Sequence, residues 1–349
     1  MLQHEVYSIP FRKPLHTAAG SITHRKGFWL RYRTSKSILF AEAAPLPGFS
    51  RPDDTLETVT FWLSRHQAML QEYLQQGEKL HPGVQAGELL DAYRSLSTLL
   101  HQAPGDIPAS LNYALDVLLL QLWLSGQQQD MKPVSLNALA NSRDEVLRSV
   151  ELGYRTLKVK IAVNEEAELN LLDHIRRQYP RVHLRLDANR GWDPGETEHW
   201  LPQFMAFDPE YIEEPTADLS TLQDLTRRYP GQIGADERVR NLDDAIAVLE
   251  QQTADVFIIK PMMCMGLADF LSILDVLKSR EKKIVVTSAL DTGLARRSYA
   301  LLASLFLDEN TSHGLATGSL LKFDAWDDIH LIRNAVYYPE TRSIKSIYV

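Results

Sequence analysis

The sequence predicts an α/β protein, a (β/α) barrel preceded by a smaller α+β unit. Three observations carry that expectation. From residue 133 onward, short apolar runs alternate with helical patterns, the rhythm of parallel strands joined by helices. Three of the runs end in acids: VHLRLDAN at 182–189, YIEEP at 211–215 and IGADE at 233–237. Asp187 and Glu213 are 26 residues apart and Glu213 and Asp236 are 23 apart, about one βα unit each, so neighbouring strands would set the acids side by side. The first hundred residues instead run strands first and helices after, the order of an α+β unit.

In chain order, 5–9, 27–32 and 37–40 read as strands of an antiparallel meander. One helix should follow behind Asp54 or Thr55, and a second near 87–100. Thr17-Ala18-Ala19-Gly20-Ser21 is small enough to be a mobile loop, and APLPGFS at 44–50, with two prolines and a glycine, leaves little room for regular structure. HQAPGDIP at 101–108 marks the boundary, giving a cap at 1–105 and a barrel at 106–320. The helix at 109–125 is apolar almost throughout and should be buried on both sides. Barrel strands are expected at 134–139, 155–161, 182–187, 210–213, 232–236, 255–260, 283–288 and near 314–318, with one helix missing at the end. A doubly wound open sheet is the competing architecture, but no G-x-G-x-x-G follows a strand. The last segment, 321–349, looks strand-like from 329 and should return to pack on the cap.

Composition sets the bounds on function. The chain has 349 residues, 44% hydrophobic and 23% charged, ordinary for a soluble globular protein. A net charge of −8 argues against nucleic acid or an anionic membrane as partner, leaving a small-molecule substrate; oligomeric state is left open. No apolar run has signal-peptide or membrane-span length, and the single cysteine, Cys264, makes no internal disulfide, which together predict a cytoplasmic protein.

Every candidate functional group falls at the carboxyl end of a predicted strand, where barrel active sites lie. Asp187, Glu213 and Asp236 offer oxygen ligands alone, without His or Cys, which points to a hard cation: Mg2+, with Mn2+ as a substitute. Glu214 and Glu237 alternate to the other side of their strands and read as partners of the ligands, and Asn189 as a further donor. Arg185, two residues before Asp187, shares its face and is expected to meet a substrate carboxylate. Lys158 and Lys160 also share a face. Two ammonium ions about 4 Å apart repel by roughly 4 kcal/mol at an effective dielectric near 20, about three pKa units, enough to make one of them a base near neutrality. Lys260 ends the next strand, 24 residues after Asp236.

Lys158-x-Lys160, the three acids and Lys260 resemble the muconate-lactonizing branch of the enolase superfamily over most of 154–293. PLPGFS at 45–50, Pro14 to Gly20, Leu184 to Arg190 and HGLATG at 313–318 are similar to the o-succinylbenzoate synthase family within it. That resemblance implies a (β/α)7β barrel of enolase type under an α+β cap. It also implies Mg2+-dependent loss of water from 2-succinyl-6-hydroxy-2,4-cyclohexadiene-1-carboxylate, giving o-succinylbenzoate for menaquinone synthesis. In the family pattern Lys160 takes the proton and returns it to the departing hydroxyl, Lys158 tunes it, and Lys260 stabilises the dianion from the other side. Thr287 and Ser288, with Arg185 and the N-terminal loops around Gly20, Pro47 and Phe49, become the substrate contacts. The chain departs from the pattern at Met265-Gly266, at Asp291 and at Ala41, none of them a ligand or lysine, so the departures bear on substrate fit. An N-succinylamino acid racemase or dipeptide epimerase is the alternative, because Lys160 and Lys260 supply bases on two faces. A catalytically silent barrel with a binding or scaffold role stands further off.

Overall fold

In the computed structural model, residues 1–17, 20–80, 86–102, 105–124 and 133–324 are described. The chain begins with a three-stranded antiparallel sheet, β1 (Leu2–Thr17), β2 (Gly20–Arg33) and β3 (Ile38–Ala43) in sequential order. The first two strands are far longer than the sequence suggests. Their distal halves pair as a hairpin in which charged and polar residues outnumber the few apolar ones, so little apolar alternation is there to read, and the register slips between Pro10 and Leu15. Gly20 and Ser21 therefore belong to a strand, not to a loop; Ala18 and Ala19 lie outside the described residues.

Three helices follow, α1 (Leu56–Arg65), α2 (Gln67–Leu80) and α3 (Leu89–Leu100), of which α2 packs against β1. Thr55 caps α1, exchanging bonds with Thr58 in a capping box. The sequence reading missed α2 as a separate element, because only His66 parts it from α1. Helix α4 (Ala109–Leu124) has fourteen of its residues buried. Its polar side chains are spent on neighbours: Gln121 donates to the Phe40 carbonyl of β3, and the Tyr113 hydroxyl meets Ser298 of the barrel at 2.7 Å. The segment thus joins the two halves of the core.

Seven parallel strands follow: β4 (Asn137–Leu139), β5 (Thr156–Lys160), β6 (His183–Asp187), β7 (Tyr211–Glu213), β8 (Ile233–Ala235), β9 (Val256–Ile259) and β10 (Lys283–Val286), paired in chain order. The sheet curls until its two edges meet the same short piece of chain. His313 pairs with Leu136 on one side and Gly314 with Thr287 on the other, so residues 313–314 take the eighth strand position and close the barrel. Helices α5 (Arg143–Glu151), α6 (Glu165–Gln178), α7 (Pro194–Met205), α8 (Leu219–Arg228), α9 (Leu242–Gln251), α10 (Leu267–Ser279) and α11 (Gly293–Phe306) connect the strands, a (β/α)7β arrangement under an α+β cap.

Each strand-to-helix switch has a local cause. Ser142, Asn164, Asp193, Asp218, Asn241 and Thr292 place a side-chain oxygen on the first-turn amides of α5, α6, α7, α8, α9 and α11. The exception is α10, which starts behind Gly266. Its amide at Leu267 is met by Asp116 of α4, 2.7 Å away, so a cap arrives from another element. Past the barrel, Leu321 pairs antiparallel with Phe11, and Lys322 donates to the Pro10 carbonyl. The strand expected from 329 lies outside the described residues.

Candidate active site

Register sets the rows of the site. Lys160 lies opposite Asp187, Asp187 opposite Glu213 and Glu213 opposite Gly234, with Asp236 two residues further along that strand end. Gly234 makes room here: a Cβ would come within 3.3 Å of Glu213 Cγ and 3.0 Å of Ile258. All three acids are buried, with 4%, 1% and 8% exposure. Lys158, one row lower, reaches up to Asp187 Oδ2 at 2.9 Å and Glu213 Oε2 at 2.5 Å, and Lys260 pairs with Asp236. Among the described residues no three acidic, histidine or cysteine side chains converge as a ready-made metal cluster; the ammonium groups stand among the acids and supply the positive charge.

The electrostatics follow from that crowding. Burial works to lower Lys158, but Asp187, Glu213 and Asp236 outweigh it and hold the ammonium well above its ordinary range. Burial likewise works to raise Asp187, and Lys158 and Lys160 overcome it and hold it low. Glu213 is pushed up, by burial and by Asp187 and Asp236 beyond what Lys158 offsets. Glu237 is raised by burial and by Asp236, and its Oε2 is a buried oxygen without a hydrogen-bond partner. Asp187, Glu213 and Asp236 thus face the ammonium groups of Lys158 and Lys260, with Lys160 near enough to help hold Asp187 low. Oxygen donors carried on three neighbouring strand ends, with the orphaned oxygen of Glu237 beside them, suit a hard divalent cation.

Lys160 sits at the exposed mouth, its Nζ donating to Asn189 Oδ1 at 3.0 Å. A cavity of about 640 Å³ opens beside it, lined in part by Asn141, Asn164 and Glu168. Asn189 ties three groups together, since its amide nitrogen also donates to Glu237 Oε1 at 3.1 Å and its backbone N–H to Asp187 Oδ1. Contrary to what their spacing suggests, Lys160 does not bring Lys158 down. Same-face neighbours on a strand stand about 6.6 Å apart, and Lys158 is governed by its acids instead.

Arg185 is a second correction. It is 1% exposed, and its guanidinium donates to Glu210 (2.7 Å), Asn137 (3.1 Å) and the Ser312 carbonyl (2.6 Å) while lying 5.0 Å from the Tyr211 ring centre. Those partners sit at the amino ends of the strands, so Arg185 packs the barrel floor, away from the mouth where a substrate carboxylate would enter. The signal was present: two residues back along a strand is one layer deeper.

Glu214, fully buried with a left-handed φ of 39°, accepts from Arg190 (3.0 Å), Arg238 (2.9 Å) and the Asp236 backbone (3.2 Å). It staples the ends of three acid-bearing strands. The two arginines were missed, although Arg190 and Arg238 each stand two or three residues after an acid. Thr287 donates to the Gly314 carbonyl and Ser288 meets Thr317 at 2.6 Å, both on the closing segment. Phe49 packs on Leu46, Met263 and Ala289, which joins the 44–50 turn to the loops after β9 and β10; Pro47 is exposed above it. Gly20, exposed at the hairpin end with φ 121°, is not in that cluster, although Ile22 is.

A family model described as enolase C-terminal domain-like matches residues 141–332. The chain belongs to that family. An o-succinylbenzoate synthase of Thermobifida fusca is 29% identical over 205 residues, 57% of this chain and 64% of that protein, so this chain spans less than two thirds of its length. Among solved structures, an o-succinylbenzoate synthase from Thermosynechococcus elongatus complexed with Mg aligns with a TM-score of 0.67 and 24% identity, covering 90% of this chain and 92% of that one. The L-Ala-D/L-Glu epimerase of Bacillus subtilis aligns at 0.73 and 22% identity, covering 93% and 91%. At these identities the structures establish the fold, a TIM-like barrel with a capping domain.

Proposed function

We propose that this enzyme is an o-succinylbenzoate synthase, removing water from 2-succinyl-6-hydroxy-2,4-cyclohexadiene-1-carboxylate. The observation that carries the reading is the row of strand ends where Asp187, Glu213 and Asp236 meet Lys158 and Lys260 with Lys160 alongside. The likeness to the Thermobifida fusca protein and the PLPGFS turn support the substrate. Residues 1–105 then serve as the cap, 106–320 as the catalytic barrel, and 321–349 as the return to the cap.

Asp187, Glu213 and Asp236 would hold Mg2+, which when bound supplies charge stabilisation to the substrate's carboxylate oxygens. Lys160, in its neutral form, takes the proton from the ring carbon bearing the carboxylate. The C–H pair passes into the ring system, the C–O bond to the hydroxyl breaks on the same face, and Lys160 returns the proton so that water leaves and the ring becomes aromatic. Lys260, beside Asp236, would hold negative charge from the opposite side. Lys158 stays an ammonium and balances Asp187 and Glu213, so it is not the base.

The test is turnover by the purified protein with and without Mg2+, on the cyclohexadiene substrate beside a panel of N-succinylamino acids. Mg2+-dependent formation of o-succinylbenzoate is expected. The second reading, racemisation of an N-succinylamino acid or epimerisation of a dipeptide, is favoured by lysines on two strands flanking the acids. Solvent deuterium exchange at the α-carbon faster than dehydration would replace the first reading with it.

A further inference from the structure

Of the four cationic side chains on β2, Lys26, Arg31 and Arg33 are exposed while Arg25 is 1% exposed. Its guanidinium grips two loops at once. Nη1 donates to the Pro45 carbonyl at 2.8 Å, and Nη2 donates to the Ala44 carbonyl and to Asp291 Oδ1 at 2.6 Å. Asp291 is itself fully buried, and its Oδ2 accepts from the Ala289 backbone and the Tyr299 hydroxyl, both at 2.8 Å. The Ala289 bond spans Leu290, which is held left-handed with φ 63°, a conformation a leucine adopts only under constraint.

The consequence lies one residue further along each loop. Leu46, next to Pro45, touches Met263 and Ala289 in the apolar cluster that Phe49 edges, over the carboxyl ends of β9 and β10. Ser288 precedes Ala289. A single fork-shaped cation therefore fixes the backbone on which Phe49 is presented and, through Asp291, the backbone on which Ser288 is presented. A lysine has no such fork.

We propose that Arg25 and Asp291 are positioning residues that set substrate affinity. The pair locks the 44–50 turn of the cap against the 287–292 loop of the barrel, so both walls of the substrate pocket are in place before anything binds. The inference rests on the reading that a small carboxylate substrate is bound at this mouth. Neither side chain reaches the substrate; walls fixed in advance lower the ordering cost of binding, while the lysines and acids on the strands keep their own supports.

Two variants separate positioning from charge. Arg25→Lys keeps the cation and loses the fork, and Asp291→Asn keeps the shape and loses the anion. Amide hydrogen exchange by mass spectrometry is followed at 44–50 and 287–292, beside KM and kcat on the cyclohexadiene substrate with Mg2+. Faster exchange in both loops is expected, with KM raised about tenfold or more and kcat within about threefold. Unchanged exchange, a change in one loop only, or a fall in kcat at constant KM overturns the inference. If the wild-type protein does not turn the substrate over, the functional reading falls and the exchange data alone decide the clamp. Should Asp291→Asn fail to fold, Arg25→Lys carries the same measurements.

Discussion

Lys158 and Lys160 show how far a spacing can mislead when charge partners are unseen. Two lysines at i and i+2 read as mutual perturbers, yet Lys158 is bound by Asp187 and Glu213 whereas Lys160 meets Asn189. Their roles should separate on mutation. Lys160→Ala is expected to cut turnover by about 10²-fold or more, the worth of a positioned general base, while Mn2+ binding followed by EPR stays within about threefold. Appreciable residual dehydration would remove Lys160 as the base. Asp236→Asn should weaken that same Mn2+ affinity by about tenfold or more, and an unchanged titration would strike it from the ligand set. The acids were legible because a strand end, a loop and even spacing all pointed to them. The fate of Arg185 was not, since its partners Glu210, Asn137 and Ser312 come from three separate stretches that only barrel closure brings together. Arg185→Met is accordingly expected to cost about 3 kcal/mol of stability by stripping Glu210 of a buried partner, with KM unmoved.

At the level of elements, the seven barrel strands begin and end within three residues of their expected bounds, and most barrel helices carry a local start signal. Asn164, Asp193, Asp218 and Asn241 announce their helices with side chains that bond the first turn, a cause confined to a few neighbouring residues. Helix α10 has no such signal because its cap is Asp116, 151 residues away in sequence. The cost of that borrowed cap is a tight fit at Gly266. Its φ is 104°, and a Cβ there would come within 2.5 Å of Asn112 Nδ2 and 2.8 Å of Asp116 Oδ2. Gly266→Ala is therefore expected to destabilise by about 2 kcal/mol, combining left-handed strain with displacement of the cap. A urea midpoint equal to wild type would mean that the junction between α4 and α10 yields without penalty. The β1–β2 hairpin is the opposite case: its outer length comes from backbone pairing between largely polar stretches, which leave little periodic trace.

Closure of the barrel depends on residues 313–314, a short strand position held in part by a histidine. His313 is 2% exposed, and its Nδ1 accepts from the Val286 backbone at 3.1 Å, so the ring must be neutral to make that bond. Burial and then Arg185 push its pKa down to about 3, against an ordinary value near 6.5. A folded pKa below the unfolded one means the unfolded chain binds the proton more readily. Stability from this site is thus present above about pH 6.5 and lost as pH falls toward 3. Between pH 7 and pH 4 the loss comes to about 3 kcal/mol. Asp54 and Asp116 act with the opposite sign, raised mainly by burial to about 6 and about 7, so the penalty they impose eases as the solution is acidified. The His313 contribution is therefore read by difference. Urea unfolding of wild type and His313→Asn at pH 7, 6, 5 and 4 should show the variant's deficit shrinking by about 3 kcal/mol toward acid. Parallel stability curves across that range would show that the closing histidine titrates alike in the folded and unfolded chain, and that acid opens the barrel elsewhere.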